Sequence, residues 1–361
     1  MTASSSEHLT VFLDALGARF GGTAYAAVQL AAALGRHPRV KRVLVACRPD
    51  SIVDRGTIRN PNVAVLRVPV RHGAELVERV AWEALVMPKL VRSHAVDGAL
   101  SFSGMLPRRL TCPVVCLQAN PLPYENTRAV GAAVRRAAFA HTARSAIATY
   151  VPSKHVAALL HDVPRVRVVP LGVDRQLFRP ADRPGQELLY IADFYAHKRH
   201  DLVLRAYEAL PRPRPVLRFI GNPDVDRDNF ARVRRTAAGL DGVAVDGRVS
   251  FDEVRAAYRA ARIFVIASEH ESFSMPLAEA ICAGVPAVAR DHPTLRETAG
   301  PAALYVAGDE APAWASAIRE LLFDDALHSR LRDAALSHAK RFSWNTMAER
   351  LVTDFAAVKR P

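Results

Sequence analysis

The sequence predicts an α/β chain of two doubly wound parallel-sheet domains facing a central cleft, on three observations. Short apolar runs alternate with helical stretches along the chain. The alternation breaks once, at the polar, proline- and glycine-rich segment LGVDRQLFRPADRPGQ (171–186). The length of 361 residues suits two domains of ordinary size. An N-terminal domain over 1–174 and a C-terminal domain over 175–341 follow. A last segment, 342–361, holds a helix at about 345–358 that is long enough to leave its own domain and pack elsewhere.

The elements justify themselves in order. TVFL (10–13) is an apolar run for a buried strand. Gly21-Gly22-Thr23 follows as a loop, then a helix AYAAVQLAAALG stopped by Gly35. VKRVLVAC (40–47), VAVLRVPV (63–70), GALSF (98–102), PVVCLQ (113–118), IATYVPS (147–153) and RVRVVPLGVD (165–174) read as strands. Helices are expected at 74–94 and 127–146. The second half repeats the rhythm with ELLYIAD (187–193), VLRFIGN (216–222), VAVDGRV (243–249), RIFVIAS (262–268) and VPAVARD (285–291). Helices from about 200, from about 229, over 251–261 and over 275–283 separate them.

Composition excludes several classes. Half the residues are hydrophobic and 24% charged, so the chain buries cores and is not disordered. Four cysteines, Cys47, Cys112, Cys116 and Cys282, are too scattered for a disulfide framework. The CxxxC of Cys112 and Cys116 has no second pair to complete a zinc site. MTASSSEHLTVFLD lacks the basic start of a signal peptide, and no apolar run reaches the ~18 residues that span a bilayer. A cytoplasmic protein in a reducing compartment is expected.

The charge is uneven. Residues 1–174 hold 22 Lys+Arg against 11 Asp+Glu, and residues 175–361 hold 27 against 25. Between 126 and 170, Arg128, Arg135, Arg136, Arg144, Lys154, Arg165 and Arg167 face one acid, Asp162. Such a face suits an anionic partner: lipid headgroups, nucleic acid or a phosphorylated acceptor. An ordinary solvated arginine-rich surface is the plainer alternative. The helix at 127–146 fits either a membrane-surface helix or a packed helix with a basic outer face.

Ligands of open parallel sheets bind beyond the carboxyl ends of strands. The segment SEHESFSMPLAEAICAGVPAVARD (268–291) therefore carries the strongest signal. Ser274 suits an N-cap, Pro276 the first helical turn, and Gly284 the stop. The amides of residues 273–277, among them Phe273, Ser274, Met275 and Leu277, with the helix dipole make a phosphate cradle. Glu279, about one turn in, is placed to accept from a ribose diol, and Glu271 to face what lies beyond the phosphates. The plain alternative is an ordinary capped crossover with two surface glutamates.

With its seven intervening residues, Glu271 to Glu279 resembles the E-x7-E signature of retaining, nucleotide-sugar-dependent glycosyltransferases of family 4, with the GT-B fold of two Rossmann-like domains and a C-terminal helix crossing back. Gly21-Gly22-Thr23 resembles that family's N-terminal diglycine loop, and VVPLGVDRQLFRP (168–180) its inter-domain strand. IADFYAHKRHDLVLRAY (191–207) resembles the segment of its phosphate-binding lysine, here Lys198. DGRVSFDEVRAAYRAARIFVIAS (246–268) resembles the approach to the signature, with Arg248-Val249 near the nucleobase. FSWNTMAERL (342–351) resembles the crossing helix.

The resemblance implies donor binding by Gly21, Gly22, Lys198, Val249, Phe273, Ser274, Met275, Leu277 and Glu279, with Glu271 and Lys198 in the chemistry. It implies a nucleoside-diphosphate sugar as co-substrate, no cofactor and no metal. The N-terminal domain would take the acceptor: a glycan, lipid-linked or small-molecule hydroxyl in polysaccharide or glycoconjugate synthesis, on an anionic membrane face, or a soluble acceptor of secondary metabolism. Two departures stand out. The arginine that the family carries before the lysine is Asp193 here, with His197, Arg199 or Arg19 as replacements. The histidine near the donor sugar is replaced by Gln118-Ala119-Asn120-Pro121, whose amides suit a sugar hydroxyl.

Weaker signals point elsewhere. Asp224-Val225-Asp226 fits a metal-binding DxD, although the resemblance requires none. His270 reads as a loop histidine and Cys282 as core. No phosphate loop of the GxxxxGK type and no GxGxxG is present. A two-carboxylate hydrolase is the rival use of Glu271 and Glu279. A non-catalytic partner subunit and a basic nucleic-acid-binding protein are the alternatives from other classes; the latter lacks any recognition motif.

Overall fold

The computed structural model describes residues 8–18, 21–49, 51–55, 59–69, 75–102, 110–120, 122–125 and 131–358. The chain divides into two compact units, Met1–Gly172 with Ser343–Pro361, and Val173–Phe342.

The first unit runs β1 (Leu9–Asp14), α1 (Gly21–Gly35), β2 (Val40–Cys47), β3 (Val63–Arg67), α2 (Glu75–Leu85), α3 (Met87–Ser93), β4 (Gly98–Ser101), β5 (Val114–Leu117), α4 (Leu122–Glu125), α5 (Ala132–Ser145), β6 (Ala148–Val151), α6 (Lys154–Leu159) and β7 (Val166–Val168). Its seven strands are parallel in the order β3-β2-β1-β4-β5-β6-β7. The order reverses at β1 and β4. Strands β1, β4, β5 and β6 are buried along their whole length, as apolar strands covered on both faces must be.

The second unit runs β8 (Glu187–Ile191), α7 (His200–Glu208), β9 (Leu217–Ile220), α8 (Arg227–Ala238), β10 (Val243–Gly247), α9 (Phe251–Ala260), β11 (Ala261–Ile266), α10 (Met275–Cys282), β12 (Ala287–Arg290), α11 (Pro293–Ala299), β13 (Ala303–Val306), α12 (Ala311–Phe323) and α13 (Asp325–His338). Six parallel strands lie in the order β10-β9-β8-β11-β12-β13. Here the winding reverses at β8 and β11, so the loops leaving those two strands flank a crevice at the carboxyl edge.

The last helix, α14 (Trp344–Ala356), belongs to the first unit. Its apolar side, Trp344, Met347, Ala348, Leu351, Val352 and Phe355, is buried. Asp354 accepts from the Tyr150 hydroxyl at 2.6 Å and from Arg167 at 2.5 Å, and Glu349 meets His37 at 2.7 Å.

Several elements differ from the sequence reading. The helix expected over 74–94 is two, α2 and α3, with Pro88 in the first turn of the second. Gly21-Gly22-Thr23 is the first turn of α1 rather than a loop before it. Only 166–168 of the strand expected over 165–174 is paired. The helix expected at 127–146 spans 132–145, with 126–130 outside the described residues. It buries Ala132, Phe139 and Ala143 and exposes Arg135 and Arg144, which favours the packed helix with a basic outer face. Members of the basic run have internal partners: Arg136 donates to the Pro123 carbonyl at 2.9 Å, Arg165 closes the end of α5 through the carbonyls of Arg144 and Ala146, and Arg167 pairs with Asp354. Strand β13 and helices α11 to α13 have no counterpart in that reading. All four cysteines are buried, and burial pushes the thiols of Cys112, Cys116 and Cys282 up to about 12.

Candidate active site

The site begins where β8 and β11 end side by side. After β8 the chain makes a tight turn over Ala196–Lys198 before α7. After β11 it runs through Ser268 to Ser274 into α10. The Glu269 amide donates to the His197 carbonyl at 2.9 Å and ties the two loops together. Lys198 Nζ donates to Glu271 Oε1 at 2.7 Å, with both side chains mostly buried. The two residues singled out for chemistry thus form one ion pair across the mouth of the crevice.

The N-terminus of α10 opens beside this pair. The first amides of a helix have no partner inside it and point along its dipole. Ser274 occupies the cap position at φ 69° and ψ 78°, a strained left-handed conformation for a residue with a side chain. It does not cap as expected. Its hydroxyl makes no bond to the helix and has no hydrogen-bond partner among the described residues, although it is buried. Strain and an orphaned buried hydroxyl at one residue are features that gather where ligands are held. Phe273, Met275 and Leu277 turn their side chains into the core, so their backbone amides are what they can offer a ligand. Thr298 donates to the Phe273 carbonyl and fixes the loop from below. At the far end Gly284, at φ 69°, closes the helix, and Val285 N returns to the Ala280 carbonyl at 2.9 Å.

Glu279 is buried on α10. Its Oε2 lies 2.8 Å from the hydroxyl of Tyr258, which also meets the Pro276 carbonyl at 2.9 Å. Burial pushes this carboxyl up to about 8, against the lowering effect of the Tyr258 bond. Val249 is half-buried, one residue before the Ser250–Glu253 capping box that opens α9. Arg248 is fixed by Asn222 at 2.9 Å and Asp224 at 3.4 Å.

Among the described residues, the departure at Asp193 gains no replacement cation. Asp193 accepts the Asn222 amide at 3.0 Å, a contact between the loops that leave β8 and β9. His197 is half-buried, and burial first, then the Lys198 charge, pushes its imidazole down to about 4, so it is neutral at physiological pH. Arg199 corrects the reading of it as a spare cation. Its guanidinium is engaged by Glu269 at 2.7 Å, Asp309 at 2.5 Å and Asp201 at 3.2 Å, and Arg290 shares Asp309 at 2.7 Å. The Arg199 hydrogen bond and then that of Arg290 hold the Asp309 carboxyl below its usual range. Arg19 lies outside the described residues. Lys198 is therefore the cation that the described residues place at this crevice.

The Asp224-Val225-Asp226 motif is likewise structural. Asp226 caps α8 through the Asn229 amide at 3.0 Å, and Asp224 pairs with Arg227 at 3.2 Å. In the first unit, Gln118 and Asn120 leave the carboxyl end of β5. Gln118 Oε1 accepts the Asn120 amide and Asn120 Oδ1 the Leu122 amide, each at 3.2 Å, so their carbonyl oxygens shape the loop. Gly21 and Gly22 open α1 after β1, at that unit's own reversal point. Three groups escaped the sequence reading. No pattern in the sequence singles out Tyr258. Buried Asp14, ending β1, takes the Ser101 hydroxyl at 3.0 Å. Near it burial, then Asp14, pushes the Glu83 carboxyl up to about 7. An acid that ends an apolar strand, as in TVFLD, was the available signal for Asp14.

Residues 178–338 match the family described as Glycosyl transferases group 1. The match covers less than half of the chain. It lies wholly within the second unit, and it contains Lys198, Glu271 and Glu279. The chain is 30% identical over 211 residues to D-inositol 3-phosphate glycosyltransferase 1 of Catenulispora acidiphila, covering 52% of this chain and 50% of that protein. It is 29% identical over 227 residues to the D-inositol 3-phosphate glycosyltransferase of Thermobispora bispora, covering 56% and 53%. The chain thus spans about half the length of the curated relatives it matches. Among solved structures it resembles sucrose-phosphate synthase of Thermosynechococcus elongatus, with a TM-score of 0.80 at 20% identity over 97% of this chain and 98% of that one. Anabaena HepE in complex with UDP-glucose gives 0.77 at 14% identity over 97% and 100%. These likenesses show the GT-B fold, and the segment that matches the family carries the crevice.

Proposed function

We propose that the protein moves a sugar from a nucleoside-diphosphate sugar to an acceptor hydroxyl with retention at the anomeric carbon. The Lys198–Glu271 pair beside the open N-terminus of α10, at the point where the sheet order reverses, carries this reading. Departure of the nucleoside diphosphate concentrates negative charge on its oxygens. The Lys198 ammonium and the amides at the start of α10 meet that charge without reorganising. Glu271 and the amides of Phe273, Ser274 and Met275 orient the sugar, and Glu279 holds the ribose. The family resemblance adds Gly21 and Gly22 as phosphate amides and gives the acceptor to the first unit. A bound metal has no part in this scheme.

The excess of positive charge in residues 1–174 supports an anionic acceptor or surface. The inositol 3-phosphate in the names of the relatives fits the same chemistry. No helix among the described residues is long and apolar enough to cross a membrane, so attachment to a lipid-linked acceptor would be peripheral.

Thermal denaturation with UDP, GDP and ADP and their sugars tests the reading. A nucleotide at 100 times its Kd stabilises by ~2.7 kcal/mol. Failure of all of them to raise the melting temperature removes the donor assignment. The two glutamates separate the roles further. Glu279→Ala is expected to weaken nucleotide binding about tenfold or more, as loss of a charged hydrogen-bonding partner does. Glu271→Ala should leave binding within about threefold and lower turnover about a hundredfold. The reverse pattern exchanges their assignments.

A further inference from the structure

We propose that Tyr258 is the positioning residue for Glu279, and that Glu279, the Tyr258 hydroxyl and the Pro276 carbonyl form a chain holding one proton, which a bound nucleoside displaces to solvent. The inference rests on the assignment of Glu279 to the ribose.

The argument is a count of protons. A tyrosine hydroxyl carries one, and a carbonyl carries none. The Tyr258 hydroxyl meets the Pro276 carbonyl at 2.9 Å and Glu279 Oε2 at 2.8 Å. Both contacts are hydrogen bonds at once only if Glu279 donates to the phenol oxygen while the phenol donates to Pro276. An ionised Glu279 leaves one of the two short contacts without a proton.

The surroundings favour the protonated arrangement. Glu279 is 9% exposed and Tyr258 1%. The Tyr258 ring is held edge-on by Phe178 at 5.4 Å and lies against Phe264 at 6.1 Å, so the hydroxyl has little freedom to leave. On α10 itself the other titratable group is the Cys282 thiol, which senses Arg175 and Glu279. From α13, Arg332 reaches the far end of α10, where it donates to the Gly284 carbonyl at 3.2 Å. Among the described residues no lysine or arginine pairs with Glu279. The upward shift of its carboxyl by burial agrees with the count.

A ribose diol reverses the balance. It brings two donors, and a carboxylate accepts both where a carboxylic acid accepts less well. Binding then favours the ionised form. The acid proton goes to solvent, and the Tyr258 hydroxyl turns from Pro276 to the carboxylate. Affinity therefore rises with pH until Glu279 is ionised in the free protein.

Calorimetry on the full chain tests this with whichever of UDP, GDP or ADP binds. Titration at pH 7 in PIPES, HEPES and Tris, which differ in ionisation enthalpy, counts protons released. The wild type is expected to release about one more proton than Glu279→Gln, which subtracts the contribution of the nucleotide's own phosphate. Tyr258→Phe keeps the ring and removes the hydroxyl that stabilises the ionised acid. Its affinity should fall about tenfold at pH 7 and recover above pH 9, whereas a packing defect lowers affinity equally at every pH. Equal proton counts for wild type and Glu279→Gln overturn the inference. Absence of binding by all three nucleotides at every pH overturns the proposed function instead.

A nucleotide-free measurement separates the two failures. A carboxyl raised by folding contributes stability below its unfolded value, and that contribution is lost as pH rises towards the folded one. The melting temperature of Glu279→Gln should therefore gain on the wild type between pH 5 and 8. Parallel curves show that Glu279 is not the proton carrier.

Discussion

Lys198→Ala is expected to lower kcat/KM by about 10²–10³-fold, mostly through kcat. Two losses combine. The ammonium no longer meets the charge that grows on the leaving diphosphate, and Glu271 is left mostly buried with no cation at 2.7 Å. The double variant Lys198→Ala with Glu271→Gln, read against Glu271→Gln alone, separates them. If the orphaned carboxylate is the cause, removing Lys198 costs little once residue 271 carries no charge. If the ammonium acts on the leaving group, the double variant stays about 10²–10³-fold slower than Glu271→Gln alone. Lys198→Arg keeps the charge, but a planar fork replaces a point charge on a turn with little room. It should fall between wild type and Lys198→Ala. A loss below about threefold for Lys198→Ala shows that the ammonium has no part in the transition state.

The second large effect concerns the return of the chain to the first unit. Phe355→Ala is expected to cost ~3–5 kcal/mol, the usual range for removing a buried aromatic. Phe355 is 2% exposed. Its ring fills the space above Gly98, so closely that a β-carbon on that glycine would sit 2.2 Å from it. Gly98 opens β4, and the ring therefore lies directly on the sheet. For a unit of roughly 200 residues each kcal/mol moves the melting temperature by ~2–4 °C, which predicts a fall of about 10 °C. Glu349→Ala removes the His37 contact, but Glu349 is exposed, and a surface pair is worth ~1 kcal/mol at most. The contrast between the two variants measures whether apolar packing, not the ionic contacts, docks α14. A loss below ~1 kcal/mol for Phe355→Ala contradicts the packing described.

Much of this was legible in the sequence because parallel strands buried on both faces are unbroken apolar runs. VKRVLVAC is β2 to the residue, and RIFVIAS overlaps β11 over 262–266. Helix ends were less legible. The diglycine joined α1 because a helix tolerates glycine in its first turn, and 74–94 broke in two where Pro88 follows Val86 and Met87. Glu271 and Glu279 were singled out by their places after a strand, and Lys198 by the family resemblance. Their partners were not. The Lys198–Glu271 pair joins residues 73 apart, and it exists because β8 and β11 are neighbours, a fact of topology. The engagement of Arg199 depends on Asp309, 110 residues away. The proton count at Tyr258 depends on a carbonyl, which no side-chain pattern reveals. The positive φ of Ser274 was invisible because serine is a good N-cap in the ordinary conformation.

The account turns on the start of α10 as the seat of a diphosphate. Amide chemical shifts followed by NMR while UDP, GDP or ADP is added test this most directly. The predicted result is a saturable shift, with one of the three, at the amides of Ser274, Met275 and Leu277 and in the side chain of Lys198. Tight binding that leaves those amides unmoved and perturbs another part of the chain would contradict it.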